Sequence, residues 1–155
     1  MAKNQVGKGR NEQRQKKSPV KIAQPVVRLA VVLIRGLVKA RWDMKATLQL
    51  LHLTRPHRCI VVAGTPAMKG MLHKIKDFIT WGPISEEVFQ ELLQKRGVEA
   101  KGLTTDRKGK YSYRFLEVDD KKYLPYFGLH PPRKGFERKG IKVSFNVGGA
   151  LGYRG

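Results

Sequence analysis

His52, His57 and Cys59 lie close together and could in principle hold a metal ion. Structural zinc asks for four ligands, usually in paired Cys or His spacings. This chain has one cysteine and no second cluster, so the ordinary reading places Cys59 in the core of a strand and the histidines near a helix end. Nucleophilic catalysis finds no better footing. Ser85 is placed to cap a helix, and Cys59 sits in an apolar run where thiols are inert. There is no G-x-S-x-G elbow, no phosphate-binding P-loop and no G-x-G-x-x-G. Asp119 and Asp120 are adjacent carboxylates, but they stand beside Lys121 and Lys122, as in a solvated turn. The residues therefore supply no catalytic set, no metal site, and no cofactor or small-molecule site.

The cationic side chains are better organised. In "GTPAMKGMLHKIKDF", from Gly64 to Phe78, the apolar residues Met68, Met71, Leu72, Ile75 and Phe78 recur at helical steps. Lys69, His73 and Lys76 form a second stripe at the same spacing, with Lys74 to one side. A merely solvated face mixes acids with bases, whereas here the only acid is Asp77, at the end. Gly70 costs a helix interior about 1 kcal/mol relative to alanine, and it lets another backbone come close. The first-turn amides add positive potential for a phosphate. In the C-terminal region Arg133-Lys134 and Arg138-Lys139 are interleaved with glycines and with Phe136, Phe145 and Tyr153. Such cations neutralise phosphates, and such rings stack on unpaired bases.

The totals point the same way. The chain has 155 residues, enough for one domain with arms, and a formal net charge of +20. That imbalance speaks for a polyanionic partner, nucleic acid before a membrane surface. A single cysteine excludes an internal disulfide framework and suits a reducing compartment. The longest apolar run, Leu29 to Ile34, is too short to span a bilayer, and the N-terminus has no apolar signal-peptide core. The expectation is a soluble cytoplasmic protein that does not enter membranes. Basic residues crowd the ends. Residues 1–28 form a polar arm, expected to be disordered alone, and residues 129–155 an extended glycine-rich tail, expected to stay out of the core.

Between these arms, strands and helices alternate. Leu29 to Arg35 reads as an interior strand, followed by a helix with Asp43 as its N-cap and a stop at Pro56. Arg58 to Ala63 is a second strand. Thr65 caps the next helix, with Pro66 at its first position, and this helix is expected to run to about Asp77. Phe78 to Trp81 reads as a third strand. A further helix is capped by Ser85, carries Glu86 and Glu87 in its first turn and ends at Lys95-Arg96-Gly97. Gly97 to Asp106 reads as a loop and Lys110 to Val118 as a strand.

Two stretches carry a resemblance. "GTPAMKGMLHKIKDFITWG" resembles the T-P-A-[IM]-[RK]-G-M-[IL]-x-K-[VI]-K signature of the L-thirty family of large-subunit ribosomal proteins. "LHPPRKGFERKG…GGALGYRG" resembles the tail of that family's archaeal branch, itself related to the eukaryotic L-seven proteins. "LAVVLIRGLV" and "LQLLHLTRPHRCIVV" fit it in order and spacing. The resemblance implies an α+β fold. Its core would be a two-layer β-α-β-α-β unit with a three-stranded, mainly antiparallel sheet in the order 3-1-2 and both helices on one face. Handedness reasoning alone would make the first two strands parallel across a helical crossover. The antiparallel sheet is the arrangement expected here. The core would occupy residues 29–128, with a variable second half.

The resemblance also implies a non-catalytic structural role in the archaeal large ribosomal subunit, supporting assembly and translation. The partners would be large-subunit rRNA of the 23S type, neighbouring large-subunit proteins and, by the family's location only, 5S rRNA. Its RNA-facing positions fall on Arg35, Lys39, Arg41, Arg55, Arg58, Thr65, Lys69, Gly70, Lys74 and Lys76. In the tail they fall on Arg133, Lys134, Arg138 and Lys139. His73 of the helical stripe and Arg154 complete the candidate set. The electrostatics alone also fit a free-standing basic RNA chaperone outside the ribosome.

Overall fold

The computed structural model describes residues 27–100, 115–118, 121–136 and 138–155. The N-terminal arm as far as residue 26, the start of the strand expected at 110–118, and the Asp119-Asp120 pair lie outside the described residues.

The element order is β1 (Arg28–Leu33), α1 (Trp42–Leu50), β2 (Arg58–Ala63), α2 (Pro66–Lys74), β3 (Ile79–Pro83) and α3 (Glu86–Arg96). Then come β4 (Leu116–Val118), β5 (Lys121–Tyr123), β6 (Phe127–Gly128) and β7 (Gly152–Tyr153). Short 3₁₀ turns at Gly140–Lys142 and Phe145–Val147 precede β7. Among the described residues no helix is long and apolar enough to cross a membrane.

The main sheet has five strands in the order β6-β2-β1-β3-β7, and β4 and β5 form a separate hairpin. β1 pairs antiparallel with β2 on one side and with β3 on the other. The expected three-stranded sheet is therefore too small. Both of its outer edges would leave backbone groups unpaired. β6 covers β2 in the antiparallel sense, and β7 covers β3 in the parallel sense, which makes the sheet mixed. The crossover argument fails for β1 and β2 because it belongs one unit later. β2 and β3 both run opposite to β1, so the parallel pair joined by a helix is β2–α2–β3.

The sheet is buried on both faces. Leu29, Val31 and Leu33 of β1 meet Leu48, Leu51 and Leu53 around α1, and Leu72 and Ile75 around α2. On the other face Ala30, Val32 and Val61 meet Phe89, Leu92 and Leu93 of α3, Phe127 of β6, and Leu116 and Val118 of β4. Helices thus lie on both faces, which corrects the expected two layers. The reason is in β1 itself. After Arg28 its run of Leu, Ala, Val, Val and Leu has no polar side to leave in water, so both of its faces need cover.

Local chemistry sets the helix ends. α2 starts as expected: Thr65 Oγ1 accepts from the Met68 amide at 3.3 Å, with Pro66 at the first position. It stops at Lys74, short of Asp77, in a tight turn where the Phe78 amide donates to the Ile75 carbonyl at 3.0 Å. That turn delivers the Phe78 carbonyl to the amides of Ile34 and Arg35, at 3.0 and 3.1 Å. α1 starts earlier than expected. Arg41 is its cap residue, without a side-chain bond, and Asp43 lies in the first turn, its Oδ1 accepting from the Met44 amide at 2.9 Å. In α3 Ser85 Oγ accepts from the Val88 amide, Glu86 and Glu87 open the helix, and Lys95 and Arg96 close it.

The tail is not kept apart from the body. Ala150 and Leu151 are buried against Ile34, with Phe136 and Ile141 beside them. The Arg154 amide donates to the Trp81 carbonyl at 2.8 Å, and Thr80 Oγ1 donates to the Gly152 carbonyl at 3.1 Å. The segment is glycine-rich because it must turn sharply before entering the sheet: Gly148 has φ 89° and Gly152 has φ 98°.

Candidate nucleic-acid interface

α2 separates its two stripes cleanly. Leu72 and the capping Ile75 are fully buried, while Lys69, Gly70, His73 and Lys76 face solvent. Among the described residues an added Cβ at Gly70 would meet nothing within 4 Å, so none of their backbone occupies the approach that this glycine opens. His73 packs edge-on against Trp81, with ring centroids 5.8 Å apart. Thr65, at the head of this face, is engaged as the cap. α2 carries no acidic residue, whereas α3 on the opposite face of the sheet carries Glu86, Glu87 and Glu91. Glu86 is paired with Arg28 and Glu91 with Lys95, and the Lys95 partnership holds the Glu91 carboxyl below its ordinary range.

A second group gathers where β1 ends and β2 begins. Arg35 lies over the Phe78 ring, 5.4 Å from its centroid. The exposed Arg55 precedes His57, whose ring stacks on Phe136 with centroids 6.0 Å apart and planes 12° apart. That stack brings Arg133, Lys134, Arg138 and Lys139, each exposed, to this end of the sheet. Arg58 is more enclosed. Its guanidinium lies 4.0 Å from the Tyr126 centroid and donates to Thr54 Oγ1 at 2.6 Å. The structure thus gives Arg58 an internal anchoring role.

Lys39 and Arg41 are exposed on the approach to α1, and Lys39 has a left-handed φ of 67°. Asp43 links α1 to α2: Arg41 Nε lies 3.5 Å and Lys74 Nζ 3.9 Å from its carboxylate. Both cations are exposed around a half-buried Asp43, so each pair is worth about 1 kcal/mol or less. Arg154 donates from Nε to Thr80 Oγ1 at 3.2 Å and lies over the Phe145 ring at 4.5 Å.

One feature could not be found by spacing. A cleft of about 760 Å³ opens between the end of α2 and the C-terminal segment, lined by His73, Lys76, Lys142, Phe145 and Tyr153 among others. Lys142 is outside the sequence-derived set. It is brought to α2 by the docking of the C-terminal segment, through the β7–β3 pairing and the packing of Ile141, Ala150 and Leu151 with Ile34, residues far apart in the chain. Of the residues considered as metal ligands or nucleophiles, Cys59 is buried in β2, Ser85 serves as a cap and His57 is stacked on Phe136.

Known proteins match this sequence. The family model of ribosomal protein L30p/L7e matches residues 29–79, from β1 to the first residue of β3. The large ribosomal subunit protein uL30 of Nanoarchaeum equitans is 42% identical over 140 residues, covering 81% of this chain and 90% of that protein. Its namesake in Methanopyrus kandleri is 40% identical, covering 79% and 93%. That of Pyrobaculum islandicum is 35% identical, covering 83% and 88%. With identity at this level over nearly the whole of these relatives, and with the matched segment forming the central strands and both helices of one face, the chain belongs to the ribosomal protein L30p/L7e family.

Proposed function

We propose that this protein is a structural constituent of the archaeal large ribosomal subunit, binding large-subunit rRNA without catalysing a reaction. The observation that carries the reading is the solvent face of α2. It presents Lys69, His73 and Lys76 around an unobstructed Gly70, with no acid along the helix. Phosphates would be neutralised there and at the exposed Arg133, Lys134, Arg138 and Lys139, positioning the RNA with little base reading. Arg35, Lys39, Arg41, Arg55 and Lys74 extend the cationic surface around the sheet. Neighbouring large-subunit proteins and 5S rRNA are further partners on this reading. Work is done by binding alone, so protein and rRNA should co-purify without turnover. The test is retention on large subunits through a high-salt wash. Wild-type protein is expected to stay, and Lys69→Glu, which folds normally because the side chain is exposed, is expected to wash off. Loss of the wild-type protein in the same wash would instead fit a free-standing RNA chaperone.

A further inference from the structure

The cleft between α2 and the C-terminal segment has the proportions and the chemistry of a single-residue site. Its volume of about 760 Å³ falls in the range of small-ligand pockets, roughly 300–1,000 Å³, and is far too small for a duplex. Two aromatic rings border it and remain accessible: Tyr153 is 50% exposed and Phe145 40%. Tyr153 is held from behind by the buried Trp81, with centroids 6.1 Å apart and planes at 47°. Arg154 covers one face of the Phe145 ring at 4.5 Å. Lys76, just past α2, and Lys142, in the 3₁₀ turn, also line it, while Asp77 is the acidic side chain of the lining. A site with supported rings and two cations suits a ligand that is both flat and anionic.

We infer that this cleft takes one unstacked nucleotide of the bound RNA, its base against Tyr153 and Phe145 and its flanking phosphates beside Lys76 and Lys142. The inference rests on the rRNA-binding reading and adds to it a specific receptor for a splayed base. Single-stranded positions are where proteins read RNA, because an unstacked base exposes a π-face for an aromatic side chain. The site exists only when β7 is paired with β3, since both Tyr153 and the turn bearing Lys142 belong to the C-terminal segment. The tail would therefore act by completing a pocket on the body, and not only by trailing along a groove.

The experiment measures the affinity of the full chain for deproteinised large-subunit rRNA across a salt series. Tyr153→Leu keeps an apolar side chain against Trp81 but removes the stacking ring. It is expected to weaken binding by at least about fivefold with an unchanged salt slope, because no phosphate contact is lost. Tyr153→Phe is expected to bind within twofold of wild type. Lys142→Gln is expected to lower the magnitude of the slope by a little under one unit. Phe145→Leu, at an exposed side chain, gives a second reading should Tyr153→Leu unfold the protein. If wild type binds but both Leu variants bind equally well, the cleft is not a base site and the inference is overturned while the rRNA reading stands. If wild type itself fails to bind, the rRNA reading falls and takes the cleft with it.

Discussion

Gly82 of β3 and Arg154 meet backbone to backbone, with the Arg154 carbonyl oxygen standing where a side chain on Gly82 would have to go. The contact adjoins the hydrogen bond from the Arg154 amide to the Trp81 carbonyl, so a substitution at Gly82 acts on the joint between tail and sheet. Gly82→Ala should push the last strand away from β3 and cost about 1–3 kcal/mol of stability. Amide exchange checks this. The Arg154 amide is expected to be protected in wild type and to lose protection in the variant. Equal protection in both would show that the joint is not closed by this contact.

Gly70 predicts the opposite sign. A Cβ there meets no atom of the described residues within 4 Å, and the residue lies inside α2. Gly70→Ala should therefore stabilise the free protein by up to about 1 kcal/mol. If RNA backbone comes close at this position, the same methyl group should weaken rRNA binding. Denaturant unfolding and affinity measured on the same variant separate the two effects. A stabilised variant with unchanged affinity would mean that RNA does not approach the helix at Gly70.

The three central strands and the caps of α2 and α3 were legible because their signals are local, whereas Asp43, expected to cap α1, lies in its first turn behind Arg41. Thr65-Pro66 and Ser85 followed by two glutamates announce helix starts that the structure keeps. The stripe of Met68, Leu72 and Ile75 identifies the buried side of α2 from spacing alone. What escaped depends on distant pairing. Gly152 and Tyr153 carry no strand signature, yet they complete the sheet because the edge of β3 offers a partner. Arg58 reads as one more surface cation, and only the distant Tyr126 places a ring under its guanidinium, beside the local bond to Thr54. Lys142 enters the candidate interface through that same docking of the tail, which also packs Ile141 with Ile34.

Cys59 gives a pH-dependent test of the core. It is 3% exposed, and burial pushes its thiol from 9.0 up to about 11, partly offset by a hydrogen bond with the Val31 backbone. The folded state therefore holds the proton more tightly than the unfolded state. Its contribution is complete below pH 9 and is lost as the pH rises from 9 towards 11, where only the unfolded thiol ionises freely. The loss should amount to roughly 2–3 kcal/mol. Cys59→Ala should be less stable at pH 7, because it leaves a void, but should show a flatter decline across that window. A thiol reagent should react with the native protein only as fast as it unfolds. Rapid labelling at pH 8 would contradict the burial.

On the proposed function RNA lies on the α2 face and at the tail, and away from the acid-bearing α3. Ultraviolet crosslinking of purified large subunits, followed by peptide mapping, is the decisive test. rRNA crosslinks are expected in the peptides holding Lys69 to Lys76 and Arg133 to Tyr153. Crosslinks confined to the α3 peptide from Glu86 to Arg96, with none on α2 or the tail, would contradict it.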